Sequence, residues 1–174
     1  DFNKDLKVEI PHIWSNGVLN DISNLVRGVS YTDDDVSSED DKGLIPVLRA
    51  TNIQGNIIDL EDMVFVPSNF ISRNQILRKY DVFITMSSGS KNHIGKNGMF
   101  YFDKEVSFGA FCAKLSAKKS FSFYLNSYMQ SEFVTETIKN ECLGTNINNL
   151  NAELVKGFKL VIPSDNIIKK FNNK

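Results

Sequence analysis

The densest run of chemically capable residues follows one strand-like stretch. Asp81 to Met86 is β-branched and aromatic. After it come Ser87-Ser88-Gly89-Ser90-Lys91-Asn92-His93-Ile94-Gly95-Lys96-Asn97-Gly98. Three glycines, small hydroxyls and two lysines suit a loop whose backbone approaches an anion closely. The run is nearly a phosphate-binding P-loop. However, Gly89 and Gly95 enclose five residues rather than four, and Asn97 stands where Ser or Thr should hold magnesium. The segment that follows also reads as strand rather than helix. Two readings remain. One is a plain surface hairpin. The other is a loop laid against nucleic-acid backbone and base edges, with Ser88, Ser90, Lys91, Asn92, His93 and Lys96 supplying hydrogen bonds of the right kind.

A second polar loop is rich in amides: Cys142-Leu143-Gly144-Thr145-Asn146-Ile147-Asn148-Asn149-Leu150-Asn151. Asn can read adenine with two hydrogen bonds in the major groove, and it also caps helices and makes turns. Thr145, Asn146, Asn148 and Asn149 are its candidate contacts. Leu48-Arg49-Ala50-Thr51-Asn52 leaves a strand into a turn, with Arg49 and Asn52 as further candidates. Arg49 suits either DNA or an ion pair with the acidic loop between Tyr31 and Gly43. Arg78 and Lys79 offer phosphate contacts.

Nothing in the chain assembles into a catalytic site. His12 and His93 lack a companion at metal-ligand or triad spacing, and there is no Cys-x-x-Cys, which disfavours zinc. The (Asn/Asp)-Pro-Pro-aromatic run that an amino-methyltransferase needs to grip its target amine is missing. So are a Gly-rich cofactor loop after a first strand and a Pro-Asp…Glu-x-Lys nuclease cluster. The expectation is a non-enzyme without cofactor or metal.

The net charge of −1 hides a segregation. Between Tyr31 and Gly43, six acids (Asp33, Asp34, Asp35, Glu39, Asp40, Asp41) face Lys42 alone, a net −5. Such a run, with Ser37, Ser38 and few apolar residues, reads as a flexible surface loop. From Asn69 to Lys104, six bases face Asp81 and Asp103, a net +4. Phosphate attraction follows the local field rather than the global charge, so this segment leaves nucleic acid open.

These residues must be positioned by a folded core. The chain has 174 residues, about one domain at roughly 100–200 residues each. It is 41% hydrophobic and 24% charged, with thirteen Phe and five Tyr. That is ordinary for a globular domain and excludes disorder and collagen-like repeats. No apolar run approaches the roughly 20 residues that span a bilayer. No signal peptide is visible in the polar start, and the absence of an initiator Met suggests an excised or processed fragment. Cys112 and Cys142 read as reduced thiols, and the expected compartment is cytoplasmic.

Spacing predicts the elements. Trp14, Val18, Leu19, Ile22 and Leu25 recur at helical intervals in a short opening element. Strands are expected at Leu25–Tyr31, Leu44–Ala50, Met63–Val66, Asp81–Met86, Met99–Phe102, Ser107–Leu115 and Phe158–Ile162. Pro46 argues for an edge or a strand start. Ile71–Arg78 reads as a short helix, Phe121–Asn140 as the long one and Asn151–Lys156 as another short one. Ile167, Ile168 and Phe171 suggest the first turns of a helix cut off at Lys174. The expected fold is α/β (α+β): a mixed, largely antiparallel twisted sheet or partial barrel with one loop-rich side, one long helix and short helices.

The order of these pieces resembles the target recognition domain of the specificity subunit of type I restriction-modification systems. Four segments carry the resemblance. Ile10-Pro11-His12-Ile13-Trp14, Leu19-Asn20-Asp21-Ile22 and Gly28 match the family's opening. Ile45-Pro46-Val47-Leu48-Arg49 with Asn52-Ile53 resembles its Ile-Pro-x-Leu-Arg strand. Tyr80-Asp81-Val82-Phe83-Ile84 and the Ser88–Gly98 loop resemble its Gly-Asp-(Ile/Val)-Leu-(Ile/Leu) strand and Ser-Gly-x-x-Gly-Lys loop. Gly144–Leu150 and Leu160-Val161-Ile162-Pro163 match its closing segments. There are three departures. Tyr80 replaces the usual Gly, and Lys91 to Ile94 lengthen the loop. Ser164-Asp165-Asn166 replaces a Pro-Leu-x-Glu-Gln run, which bears on how the following helix would pair with its partner helix.

The resemblance implies a non-catalytic module that reads one half of a bipartite double-stranded DNA site. Residues 1–163 would be the recognition domain and 164–174 the start of a truncated spacer helix. Partner modification (methyltransferase) and restriction subunits would carry the catalysis. A second recognition domain, in the intact parent or in a homodimer copy, would read the other half. Two alternatives stand beside it: the recognition domain of a single-chain restriction-methyltransferase fusion, and a cytoplasmic small-ligand or protein-interaction domain.

Overall fold

A computed structural model describes residues 2–4, 8–38, 41–143 and 149–173. Its centre is a four-stranded antiparallel sheet in the order Asn97–Met99, Val82–Thr85, Cys112–Ala117, Ser23–Arg27. The DVFITM run lies inside this sheet and is buried on both faces. Strand alternation divides its side chains. Val82 and Ile84 join Ala113 and Leu115 in a core closed by helical residues Leu125, Met129, Val134, Ile138, Val155 and Ile168. Phe83 and Cys112 face the other way, into a second core with Leu48, Ile53, Phe100 and Phe108.

Beyond that second core lies a three-stranded sheet ordered Ser107–Phe108, Leu44–Leu48, Val64–Pro67. Its first pair is parallel and its second antiparallel. Pro46 sits where its strand has a neighbour on one side only, because Ser107–Phe108 pairs just Val47 and Leu48. The missing N–H of Pro46 therefore costs no ladder bond. Smaller antiparallel pairs join Lys159–Ile162 to Ser15–Val18, Ile53–Gln54 to Ile57–Ile58, and Phe2–Asn3 to Val8–Glu9.

The two main sheets meet at Gly28. Its N–H donates to the Cys112 carbonyl at 3.1 Å, and the next N–H, of Val29, donates to the Phe108 carbonyl at 2.8 Å. A Cβ on Gly28 would stand 2.2 Å from the Gly109 carbonyl oxygen. Only glycine permits that crossing.

The mixed, largely antiparallel fold is as expected, while several elements differ in detail. The opening element is not a helix throughout: a strand at Ser15–Val18, one helical turn at Leu19–Ile22 and a strand at Ser23–Arg27 replace it. Pairing with Lys159–Ile162 and Cys112–Ala117 outweighs the local periodicity. Ile71–Arg78 forms only a 3-10 turn, Arg73–Gln75. The single long helix is two, Ser122–Met129 and Glu132–Leu143. At the break, the Ser131 hydroxyl accepts from the Val134 N–H at 3.3 Å and starts the second helix. The Asn151–Lys156 helix is present as Ala152–Lys156, with the Asn151 side chain accepting from Glu153 N–H at 2.9 Å.

The last helix, Asp165–Asn172, packs on the domain. Ile168 is buried, and the Phe171 ring meets the Tyr124 ring edge-on at 6.3 Å. Two tyrosine hydroxyls clasp the neighbouring strand: Tyr124 donates to the Val161 carbonyl and Tyr128 to the Lys159 carbonyl. Both tyrosines are held above their ordinary pKa by burial.

Candidate functional site

Three chain segments, far apart in sequence, converge at the exit of the Val82–Thr85 strand. Met86 and Ser87 N–H both donate to the Phe111 carbonyl, at 2.8 and 2.9 Å. On the other side, the Met86 carbonyl accepts from Leu150 N–H at 2.7 Å, and Ser87 bridges Asn149 in antiparallel fashion. With its amide nitrogen turned to donate, Asn149 reaches the Met86 and Leu150 carbonyls at 3.3 Å each. The loop, which the structure ends at Lys96 because Asn97 and Gly98 belong to the edge strand, thus leaves a platform shared by the Gly109–Phe111 turn and the end of the amide-rich loop.

That loop is closed at its base. Thr85 N–H donates to the Lys96 carbonyl at 2.9 Å, and Gly95 N–H returns a bond to the Thr85 carbonyl at 2.9 Å. Gly95 holds φ +81°, and a Cβ there would meet Ile138 Cδ1 at 2.7 Å. This is the left-handed, sterically crowded position that a glycine suits. Within the loop, Lys91–His93 forms a 3-10 turn. The Ser88 hydroxyl accepts from Ser90 N–H at 3.2 Å. Ser90, Asn92 and His93 are exposed, and Ser88 and Lys96 are half-buried. The result is a polar, basic loop on a hydrogen-bonded root, able to present donors and acceptors to a partner surface.

The sequence candidates therefore fall into separate groups. Ser88, Ser90, Asn92, His93 and Lys96 share the loop, with Asn149 beside its root. Thr145, Asn146 and Asn148 lie outside the described residues, as does the side chain of Lys91. Arg78 and Lys79 sit before the same strand, at its opposite end. Lys79 is committed to Asp103, Nζ to Oδ2 at 3.0 Å, and that carboxylate raises its pKa. Arg49 is exposed and turns its guanidinium to the Asp62 carbonyl at 2.7 Å, over an open cleft edged by Asp59, Glu61 and Asp62.

Asn52 does not fit a surface contact. It is 3% exposed. Its side-chain oxygen accepts from Arg49 N–H at 2.8 Å, and its nitrogen donates to the Asp59 and Glu61 carbonyls at 3.1 and 2.6 Å. It ties one turn to the next. Phe111 lies in a turn that splits what reads as a continuous strand from Ser107 to Leu115 into Ser107–Phe108 and Cys112–Ala117. A glycine inside a strand pattern marks a bulge or turn, and Gly109 was that signal.

The fold is that of a known class. The model of the type I restriction modification DNA specificity domain matches residues 11–171. The chain belongs to that family. It is 34% identical over 157 residues to the specificity subunit of the type I restriction enzyme StySPI of Salmonella potsdam, covering 90% of this chain and 34% of that protein. Against the EcoKI specificity subunit of Escherichia coli strain K12, identity is 33% over 156 residues, covering 89% of this chain and 34% of that protein. The chain thus spans about a third of the length of these curated relatives. Among solved structures, the HsdS subunit of Thermoanaerobacter tengcongensis superposes with a TM-score of 0.66 at 14% identity, over 95% of this chain and 37% of that one. The S subunit of the type I system of M. genitalium gives 0.56 at 18% identity, over 93% and 38%. These likenesses establish the fold.

Proposed function

We propose that this chain reads one half of a bipartite double-stranded DNA site as the non-catalytic recognition domain of a type I restriction-modification specificity subunit. Residues 1–163 are the reader and 164–174 begin a spacer helix. Modification (methyltransferase) and restriction subunits carry out the chemistry. A second recognition domain, in the same parent or in a homodimer copy, reads the other half. The reader itself uses no cofactor, and its compartment is the cytoplasm. Among the described residues, no helix is long and apolar enough to cross a membrane.

The observation that carries this reading is the convergence at Met86–Ser87 of a basic Ser/Asn/Lys loop with the end of the amide-rich loop, in a chain of this family. Lys91 and Lys96 contact phosphates. Ser88, Ser90, Asn92 and His93, with Thr145, Asn146, Asn148 and Asn149 of the amide-rich loop, are assigned to base edges. Arg49, Arg78 and Lys79 are flanking contacts, and Lys79 must trade Asp103 for a phosphate. Asn52 is assigned to the scaffold.

Selection of this chain on a random duplex pool at low salt, with a salt titration of the winning sequence, tests the proposal. A short enriched motif is expected. Lys96→Ala should lower the log–log salt slope by about 0.9, one phosphate's share. Asn92→Ala should relax preference at one base pair, at a cost of about 1–3 kcal/mol. No binding even at low salt would overturn DNA reading by this chain.

A further inference from the structure

We infer that Phe111 is a base-contacting residue of this interface, its ring laid against a thymine methyl group in the major groove. The inference rests on the DNA-reading proposal and goes beyond it, because the polar loops alone leave the apolar feature of a base edge unread.

Phe111 is 70% exposed. Exposure alone carries little, since single apolar residues are common on surfaces, and Ile57 and Ile13 are similarly exposed at 72% and 63%. Phe111 differs in how it is held. It lies in a tight turn closed by Cys112 N–H donating to the Gly109 carbonyl at 2.9 Å. Every backbone acceptor of that turn is engaged. Arg27 donates its guanidinium to the Ala110 carbonyl at 2.8 Å. The Phe111 carbonyl takes both Met86 and Ser87 N–H. Beneath it, the turn rests against Gly28, where no Cβ fits.

The ring is thus mounted on the same two residues from which the Ser88–Gly98 loop springs. An aromatic side chain with two rotatable bonds on a rigid turn loses little entropy on binding. In the major groove, bases offer donors and acceptors, and thymine adds the C5 methyl group. Ser, Asn, His and Lys read the former. An apolar ring beside them gains from the latter.

The test compares this chain with its Phe111→Ala and Phe111→Leu variants on the motif recovered by selection, each checked for an unchanged thermal melt. In one duplex series, each thymine is replaced singly by uracil, which removes only the methyl. The wild type should lose about fourfold at one thymine, the worth of one buried methyl. Phe111→Ala should bind the parent duplex about as weakly and be indifferent to that uracil, with its salt slope unchanged. Phe111→Leu should keep part of the discrimination. A Phe111→Ala variant with wild-type affinity and uracil sensitivity overturns this inference alone, as does a wild type that no uracil weakens. A wild type that binds no duplex overturns the DNA-reading proposal and this inference with it.

Discussion

At Tyr80 the backbone holds φ +74°, in the left-handed region that costs a side-chain-bearing residue about 1–2 kcal/mol. The family pattern usually has glycine here, and the geometry explains why. The bend is fixed by its surroundings: Tyr80 N–H donates to the Phe100 carbonyl at 2.7 Å, and Asp81 N–H donates to the Arg78 carbonyl at 2.9 Å. What offsets the strain is the ring, which packs against Phe123 at 5.4 Å and edge-on against Tyr101 at 6.1 Å. Such pairs contribute about 0.5–1.5 kcal/mol each. Tyr80→Gly removes strain and contacts together, so it should be near neutral. Tyr80→Ala removes the contacts and keeps the strain. Urea denaturation should therefore rank glycine above alanine by about 1 kcal/mol, the reverse of the usual order. An alanine variant as stable as the glycine one would contradict the strained geometry. Asn52 teaches the complementary lesson. An Asn at the end of a strand has the same letters whether it reads a base or ties its own turn, and only the buried carbonyls of Asp59 and Glu61 decide between them.

Between elements, a buried ion pair ties the Cys112–Ala117 strand to the residue that enters Val82–Thr85. Lys114 points from the Cys112–Ala117 strand into the Phe83 side of the sheet, where alternation would ask for an apolar residue. Its Nζ meets Asp81 Oδ2 at 2.9 Å and the Ile76 carbonyl at 2.6 Å. The same carboxylate oxygen accepts from Arg78 N–H at 2.9 Å. Both side chains are about 5% exposed, so neither charge has water to fall back on. Asp81→Asn leaves the ammonium without a counter-charge and should cost about 3–5 kcal/mol. Combining it with Lys114→Met should recover much of that loss. A single variant within about 1 kcal/mol of wild type, judged by its denaturant midpoint, would contradict a dry pair. Elements with strong local signals were legible: the β-branched Val82–Thr85 run and the Asn-capped Ala152–Lys156 helix. Long-range pairing was not. Ser15–Val18 is a strand because Lys159–Ile162 lies beside it, and Ser131 divides a continuous apolar stripe into two helices by capping the second.

At the scale of the whole molecule, the candidate interface was legible as loops but not as a place. The Ser88–Gly98 run declares its chemistry in its letters, whereas its meeting with Phe111 and Asn149 depends on contacts that no local pattern encodes. The burial that assembles the core also sets how the fold answers to alkali. Burial pushes the Cys112 thiol up to about 12 from an ordinary 9.0, against a smaller opposing pull from Arg27. It likewise raises the Tyr31, Tyr124 and Tyr128 hydroxyls above their ordinary 10.0. All four groups are neutral when protonated, so the folded chain holds their protons more tightly than the unfolded chain does. Their contribution to stability is therefore complete below pH 9 and is lost as pH rises from about 9 towards 12, the thiol leading and the tyrosines following above 10. The exposed Lys79 and Lys139 pairs are solvent-screened and add little. Unfolding free energy measured against pH should stay level from neutrality to near 9 and then decline. Cys112→Ala should lower the whole curve by its packing loss yet flatten the onset of that decline. If the onset keeps its wild-type slope in that variant, the buried thiol is not what the alkaline limb reports.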